Sequence, residues 1–386
     1  MSAKCLTKTG LRFQSRPRIF VTLLSTFLHG QYRQFPQLQQ LVNPDLPISI
    51  PYRANATFVM LCRNEELQGV LSSIRQIEDR FNRDHDYPWV LLNDKPFDEE
   101  FKRRVSVITK APVHFGFIPP EIWNQPDSID EERAAAGRAK LKAEGIIYAG
   151  IGICADSIRG VEYVLLLSHN QCTSLTSSSR PNVDYFCNLN YDPFEFMERN
   201  NKTYGFTISL LEWHQTIPTL WDSVKEFIEA NPQFVHPNNA MNFVSNNGGK
   251  TYNQCHFWSN FEIADMDFWR GEAYSKFFDF LEEKGGFYYE RWGDAPVHSI
   301  AVSLFAPKDS IHYFYDIGYR HDSFQHCPSG NTWREGSCSC DPTETFKMTR
   351  ENRDDILDTV MLNGPDKRLW GQLVDGRSTE IKRTGN

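Results

Sequence analysis

The chain has 386 residues, 40% hydrophobic and 13% aromatic, which is enough apolar material for one large domain or two or three small ones. Forty-one basic residues against 49 acidic ones give a net charge of -8, and no dense basic run occurs, so no nucleic-acid partner is expected. Nine cysteines are too few for a disulfide-built scaffold.

Arg16-Pro17-Arg18 precedes a ten-residue apolar stretch, I-F-V-T-L-L-S-T-F-L, at 19–28. A spanning helix needs about 20 apolar residues, and this stretch is shorter. Its basic flank and length fit a signal-type segment, with a buried or interfacial helix as the equal alternative. Residues 29–54 are rich in Gln, Pro and polar groups and read as a stem.

An α/β rhythm then begins. A-T-F-V-M-L-C-R-N (56–64) is a short apolar run suited to a buried strand. From Glu66 to Phe81 apolar residues recur at Leu67, Val70, Leu71, Ile74 and Ile77, a helical spacing. Y-P-W-V-L-L-N-D (87–94) and V-H-F-G-F-I-P (113–119) predict two more strands. Ser128 and Glu131 form a capping box opening an Ala/Lys/Glu helix that ends near Gly145. Strands alternating with helices imply a mostly parallel sheet covered on both faces. Ligands bind such sheets beyond the carboxyl ends of the strands, which places Arg63, Asn64, Asn93 and Asp94 at the ligand edge. As turn residues capping strand ends they would read the same way.

In the second half, 203–211 reads as one strand and 216–232 as a helix bounded by prolines. A polar, aromatic stretch follows at 246–270, then a helix to Lys284, then G-G-F-Y-Y-E-R-W-G-D-A-P-V-H-S and I-H-Y-F-Y-D-I-G-Y-R-H. Aromatic rings interleaved with carboxylates and amides suit a carbohydrate site, because rings stack on sugar C–H faces while carboxylates bond hydroxyls. Cys327, Cys338 and Cys340 lie close together and suit local disulfides; zinc competes, but C-S-C is a poor chelating spacing. Asn55-Ala56-Thr57 and Asn201-Lys202-Thr203 are glycosylation sequons, which favour a secretory compartment. No Walker loop, G-x-G-x-x-G, H-E-x-x-H or G-x-S-x-G is present.

The runs F-V-M-L-C-R-N, Y-P-W-V-L-L-N-D, Y-G-F-T-I-S-L, C-H-F-W-S-N-F-E-I, F-Y-Y-E-R-W-G-D-A-P-V-H-S and D-I-G-Y with His321 resemble the fungal Golgi α-1,2-mannosyltransferases, glycosyltransferase family 15. The resemblance covers about residues 54–345. It implies a GT-A-type α/β fold over 55–345, an anchor remnant and stem at 1–54, and a divergent tail at 346–386. It further implies a GDP-mannose donor, a mannosylated glycoprotein or glycolipid acceptor, Mn²⁺, retention of anomeric configuration, and a type II protein of the Golgi membrane with a lumenal catalytic domain. By resemblance Glu262 is the nucleophile, Asp294 a second active-site carboxylate, His321 a metal ligand, and Arg63, Asn64 and Asp94 lie on the donor side. Asp294 also reads as the N-cap of a helix starting at Ala295.

One segment departs from the family. Members read roughly S-Y-R-H-M-C-R-F-N-S-G and then Y-W-R-V-E-P, whose glutamate is a metal ligand. Residues 151–180 match nothing there and end in Ser178-Ser179-Arg180, followed by Pro181. Ile153–Gly160 can be encoded so that reading from the third base yields M-C-R-F-N-S-G, so a reading-frame slip is the expectation and Arg180 stands where the glutamate belongs. Three functions compete: an active mannosyltransferase; an impaired transferase-like binder of nucleotide or glycan; and a hydrolase using Glu262 and Asp294.

Overall fold

Residues 52–146 and 175–346 are described by the structure, a computed structural model. The apolar stretch at 19–28, most of the stem, residues 151–174 and the tail from 347 lie outside the described residues. Strands β1 (Ala56–Leu61), β2 (Trp89–Asn93) and β3 (Val113–Phe117) form where the apolar runs predict them and pair in parallel. The predicted first helix is α1 (Leu67–Arg80), whose Val70, Leu71, Ile74 and Ile77 pack with Phe58, Met60 and Trp89 of the sheet. Helix α2 (Glu99–Ile108) is capped by Asp98, whose carboxylate accepts from the Phe101 N–H. Helix α3 (Glu131–Ala143) corrects the expected cap: Asp130, not Ser128, accepts from the Arg133 N–H. Glu131 is drawn away instead, by Gln125 and Arg138.

The main sheet has seven strands in the order β10-β6-β9-β4-β1-β2-β3, with β4 at Leu175–Ser179, β6 at Tyr204–Phe206, β9 at Glu262–Asp265 and β10 at Ile311–Tyr313. Strand β4 lies parallel to β1 and antiparallel to β9, and β6 lies antiparallel to β9 and parallel to β10. Only β9 opposes the rest. The carboxyl ends of β1, β2, β3, β4 and β6 and the amino end of β9 therefore share one edge.

The expected strand at 203–211 is two. Strand β6 stays in the main sheet, while β7 (Ser209–Leu211) pairs with β8 (Cys255–Phe257) in a separate ladder. The switch occurs where the Ile208 carbonyl takes the Trp258 N–H. Strands β5 (Val183–Tyr185), β11 (Tyr319–His321) and β12 (Phe324–His326) form a third, antiparallel sheet. Helices α1, α2 and α4 (Pro193–Arg199) contribute to the core on one face of the main sheet; α5 (Leu220–Ala230), α6 (Glu272–Lys284) and α7 (Asp294–Phe305) contribute to the core on the other. Helix α7 is buried from Ala295 to Phe305, as its apolar sequence requires.

The cysteines form one local bridge, Cys327–Cys340, and one distant bridge, Cys187–Cys338, so the expectation of local pairing holds for only one of them. The reason is that Asn188 donates its N–H to the Gly336 carbonyl, which brings the segment after β5 beside Cys338.

One row across the sheet reads Trp89, Phe58, Ser177, Ile263, Gly205. A buried serine stands between two large apolar residues, and a cavity of about 40 Å³ opens beside it, lined by Phe58, Ile77, Phe81, Phe194, Phe261 and Ile263 among others. Residual cavity volume costs about 24 cal/mol per Å³, so this void carries about 1 kcal/mol. Ser177→Val supplies methyl groups in a strand-compatible shape. The variant should unfold at higher urea concentration, by roughly 1 kcal/mol at unchanged m value; a lower midpoint would show that the site cannot take the added volume.

Candidate functional site

Three groups of side chains meet the shared sheet edge. The first follows β1 and β2. Asn64 spends both ends of its amide on the next loop, donating to the Pro96 carbonyl at 3.1 Å and accepting from the Asp98 N–H at 3.2 Å. The Arg63 N–H donates to the Glu66 carboxylate at 2.7 Å. The side chains of Arg63 and Asp94 are half-buried and form no ion pair among the described residues. Asn93 is buried with Oδ1 unpartnered. Asn64 is thus a loop tie, and Arg63, Asn93 and Asp94 are left facing the edge.

The second group centres on Glu262, the first residue of β9, which is 3% exposed. Sheet alternation turns its side chain to the α7 face. There Oε2 accepts from the Tyr204 hydroxyl at 2.8 Å and lies 3.3 Å from His298 Nδ1. Both contacts fall on Oε2, leaving Oε1 without a hydrogen bond among the described residues. Burial first, then the nearby Glu262 and Asp294 carboxylates, push the Tyr204 hydroxyl well above its ordinary pKa, so it remains a donor.

The third group answers what replaces the expected glutamate. Arg180, just past β4, donates from Nη2 to Asp294 Oδ2 at 2.9 Å. Ser259 Oγ donates to the same oxygen at 2.9 Å. Both partners of the ion pair are mostly shielded, at 29% and 21% side-chain exposure. Burial raises the Asp294 pKa, but the charges of Arg180 and His298 and the Ser259 bond outweigh it and hold the carboxyl below its usual range. Helix α7 begins at Asp294 behind Gly293, and the Asp294 carboxylate meets both the Ala295 backbone N–H and the Arg180 guanidinium.

His321 ends β11, where it pairs with Val183, and its ring lies 5.4 Å from that of Trp258. Its Nδ1 is buried without a hydrogen bond. Burial lowers its pKa, Arg180 lowers it further, and Asp322 and the Asn182 backbone oppose them. The imidazole is accordingly neutral near pH 7. His256 on β8 is also buried with Nδ1 unpartnered; burial depresses its pKa, against the pull of Glu212 and Asp294.

Sequence reasoning missed Tyr204, His298, Ser259 and Arg180's partner. His298 was within reach, since it stands four residues after Asp294 on one helix face. Tyr204 needed the β6–β9 register, which no local pattern carries.

The family's divalent cation does not fit these residues. Such an ion takes carboxylate and imidazole ligands. Here His321 offers a neutral ring, but Asp294 is engaged by Arg180 and Ser259, and Arg180 sets a permanent positive charge beside His321. No cluster of three His, Cys, Asp or Glu residues able to hold a metal exists among the described residues.

A family model described as glycolipid 2-alpha-mannosyltransferase matches residues 39–354. Glycolipid 2-alpha-mannosyltransferase 2 of Candida albicans is 49% identical over 302 residues, covering 77% of this chain. The match spans 65% of that relative's own length. O-glycoside alpha-1,2-mannosyltransferase omh1 of Schizosaccharomyces pombe is 48% identical over 299 residues, 76% of this chain and 75% of its own. Among solved structures, core-mannan synthase A from Aspergillus fumigatus in its Mn/GDP form superposes with a TM-score of 0.72 at 38% identity, covering 80% of this chain and 84% of that one. The mannosyltransferase Ktr4p from S. cerevisiae in complex with GDP gives 0.70 at 37%, covering 87% and 84%.

The ion pair has a direct test. A double-mutant cycle with Arg180→Met and Asp294→Asn should give a stability coupling of about 1–3 kcal/mol, between exposed and fully buried pairs. Coupling within about 0.3 kcal/mol of zero would mean that the two side chains are independent.

Proposed function

The chain belongs to glycosyltransferase family 15, whose fold is of the GT-A type, and on that premise we propose that its site takes GDP-mannose as donor and a mannose-terminated glycan as acceptor for α-1,2 transfer with retention. The observation that carries this reading is Glu262: a carboxylate at the shared sheet edge, pinned through Oε2 by Tyr204 and His298 with Oε1 left for substrate. As the bond from the anomeric carbon to the diphosphate breaks, positive charge grows on the sugar ring. A fixed carboxylate oxygen beneath that carbon strengthens its interaction as the charge develops, either by bonding to it or by stabilising the ion. Tyr204 and His298 hold the carboxylate in place and cost no reorganisation during the step. A diphosphate leaves without being protonated, whereas the alcohol leaving group of the hydrolase reading would need an acid near Glu262. Asp294 is held ionised by Arg180 and cannot serve as that acid.

A second reading is favoured by the Arg180–Asp294 bond: an impaired transferase-like protein that binds nucleotide and glycan but turns over slowly. The manganese of the Mn/GDP form of the Aspergillus relative finds no complete donor set among the described residues here. We infer a protein of the Golgi membrane with its catalytic domain in the lumen. Two disulfides, which persist in oxidising compartments, support this, as does Asn201, an exposed sequon residue at a left-handed turn with φ 48°. Among the described residues no helix is long and apolar enough to cross a membrane.

Transfer from GDP-mannose to methyl α-mannoside should be very weak for this chain, and Arg180→Glu alone should restore little. Replacing all of 151–180 by the family reading frame should restore manganese-dependent turnover. In that restored enzyme Glu262→Gln should lower kcat about a hundredfold or more with little change in donor affinity. A near-normal kcat for Glu262→Gln would remove Glu262 from the mechanism, and robust manganese-dependent transfer by the unaltered chain would contradict the reading of Arg180.

A further inference from the structure

A guanidinium is a planar fork of five N–H donors that never loses its charge and matches phosphate oxygens two at a time. Arg180 uses Nη2 on Asp294 Oδ2. Its Nε and Nη1 have no partner among the described residues. Asp294 is itself fixed by Ser259 at 2.9 Å and by its place in the first turn of the buried helix α7. The guanidinium is therefore held in orientation with donors to spare, at the edge where all the parallel strands end. It also neighbours His321, whose Nδ1 is buried and unpartnered. A polar atom buried without a bond in a packed site points to a missing ligand. The neutral His321 ring leaves Nδ1 as an acceptor, so an anion at this edge would be met by the Arg180 guanidinium and not by the imidazole.

We propose that Arg180 is a built-in cation for a nucleoside diphosphate: the chain binds the diphosphate through this guanidinium and needs no divalent ion to do so. The inference rests on the donor reading above and replaces one of its parts. A free divalent ion would have to enter beside a fixed positive charge and displace it from Asp294. A diphosphate meets the opposite situation, since its oxygens accept from the edge of the guanidinium that Asp294 leaves open, Nη1 with the second Nη2 hydrogen. Charge-assisted, two-point contacts of this kind are among the stronger hydrogen bonds in proteins. Asp294 thus acts as a positioning residue for Arg180.

The test is isothermal titration calorimetry of the full chain with GDP, first in EDTA and then in excess MnCl₂. The dissociation constants in the two buffers should agree within about twofold. Arg180→Gln should weaken GDP binding about tenfold or more in both buffers, and Arg180→Lys, which keeps the charge and loses the fork, should fall between. Binding that appears only with manganese would overturn the inference and leave the donor reading standing. No GDP binding in either buffer would overturn both. A folded Arg180→Gln protein that binds GDP in EDTA as tightly as the parent would overturn the role of Arg180 alone. If that variant does not fold, the two titrations of the parent chain still decide.

Discussion

The backbone ladder of β4 is the joint on which everything else depends. It pairs in parallel with β1 over residues 175–179 and antiparallel with β9 over 175–178, so it links the half of the sheet that carries Arg63 and Asp94 to the half that carries Glu262. Backbone hydrogen bonds do not read side chains, and L-T-S-S-S can therefore hold a central place that its polarity alone would not earn. The cost is local. Where Ser177 crosses the row between Phe58 and Ile263, the core is short of volume and a cavity remains.

The same ladder delivers Arg180 to the sheet edge. A guanidinium at this point makes the local field positive, and the neighbours respond as electrostatics requires. Asp294 bonds to the cation at the start of its own helix, its carboxyl is held ionised, and the His321 imidazole is pushed further toward its neutral form. The Glu262 carboxylate is fixed by Tyr204 and His298 on the α7 face, which Arg180 does not bond. Different strands carry Glu262 and Arg180, so the groups we propose for the anomeric carbon and for the diphosphate are placed independently.

Much of this was legible in the sequence where the signal was local. The apolar runs at 56–64, 87–94 and 113–119 and the periodicity of Val70, Ile74 and Ile77 are short-range facts, and the parallel sheet with its ligand edge followed from them. The cap of α3 went to Asp130 because two competing acceptors stood within three residues. The break between β6 and β7 was hidden because both pieces are apolar and only the change of partner strand separates them. Cys187 was out of reach of any spacing argument, lying 151 residues from Cys338. In the site, Glu262, Asp294 and His321 were named by resemblance. Arg180 was marked by its departure from the pattern, but its bond to Asp294 is a tertiary fact.

The central claim is that a fixed guanidinium, not a metal ion, meets the diphosphate at this edge. Crystals of the unaltered chain grown with GDP and manganese chloride, measured at the manganese absorption edge, test it most directly. The expected result is density for the diphosphate against the Arg180 guanidinium, with Asp294 still bonded to Nη2 and no anomalous peak at His321. A manganese peak ligated by His321 and the phosphates, with Arg180 turned away, would contradict it.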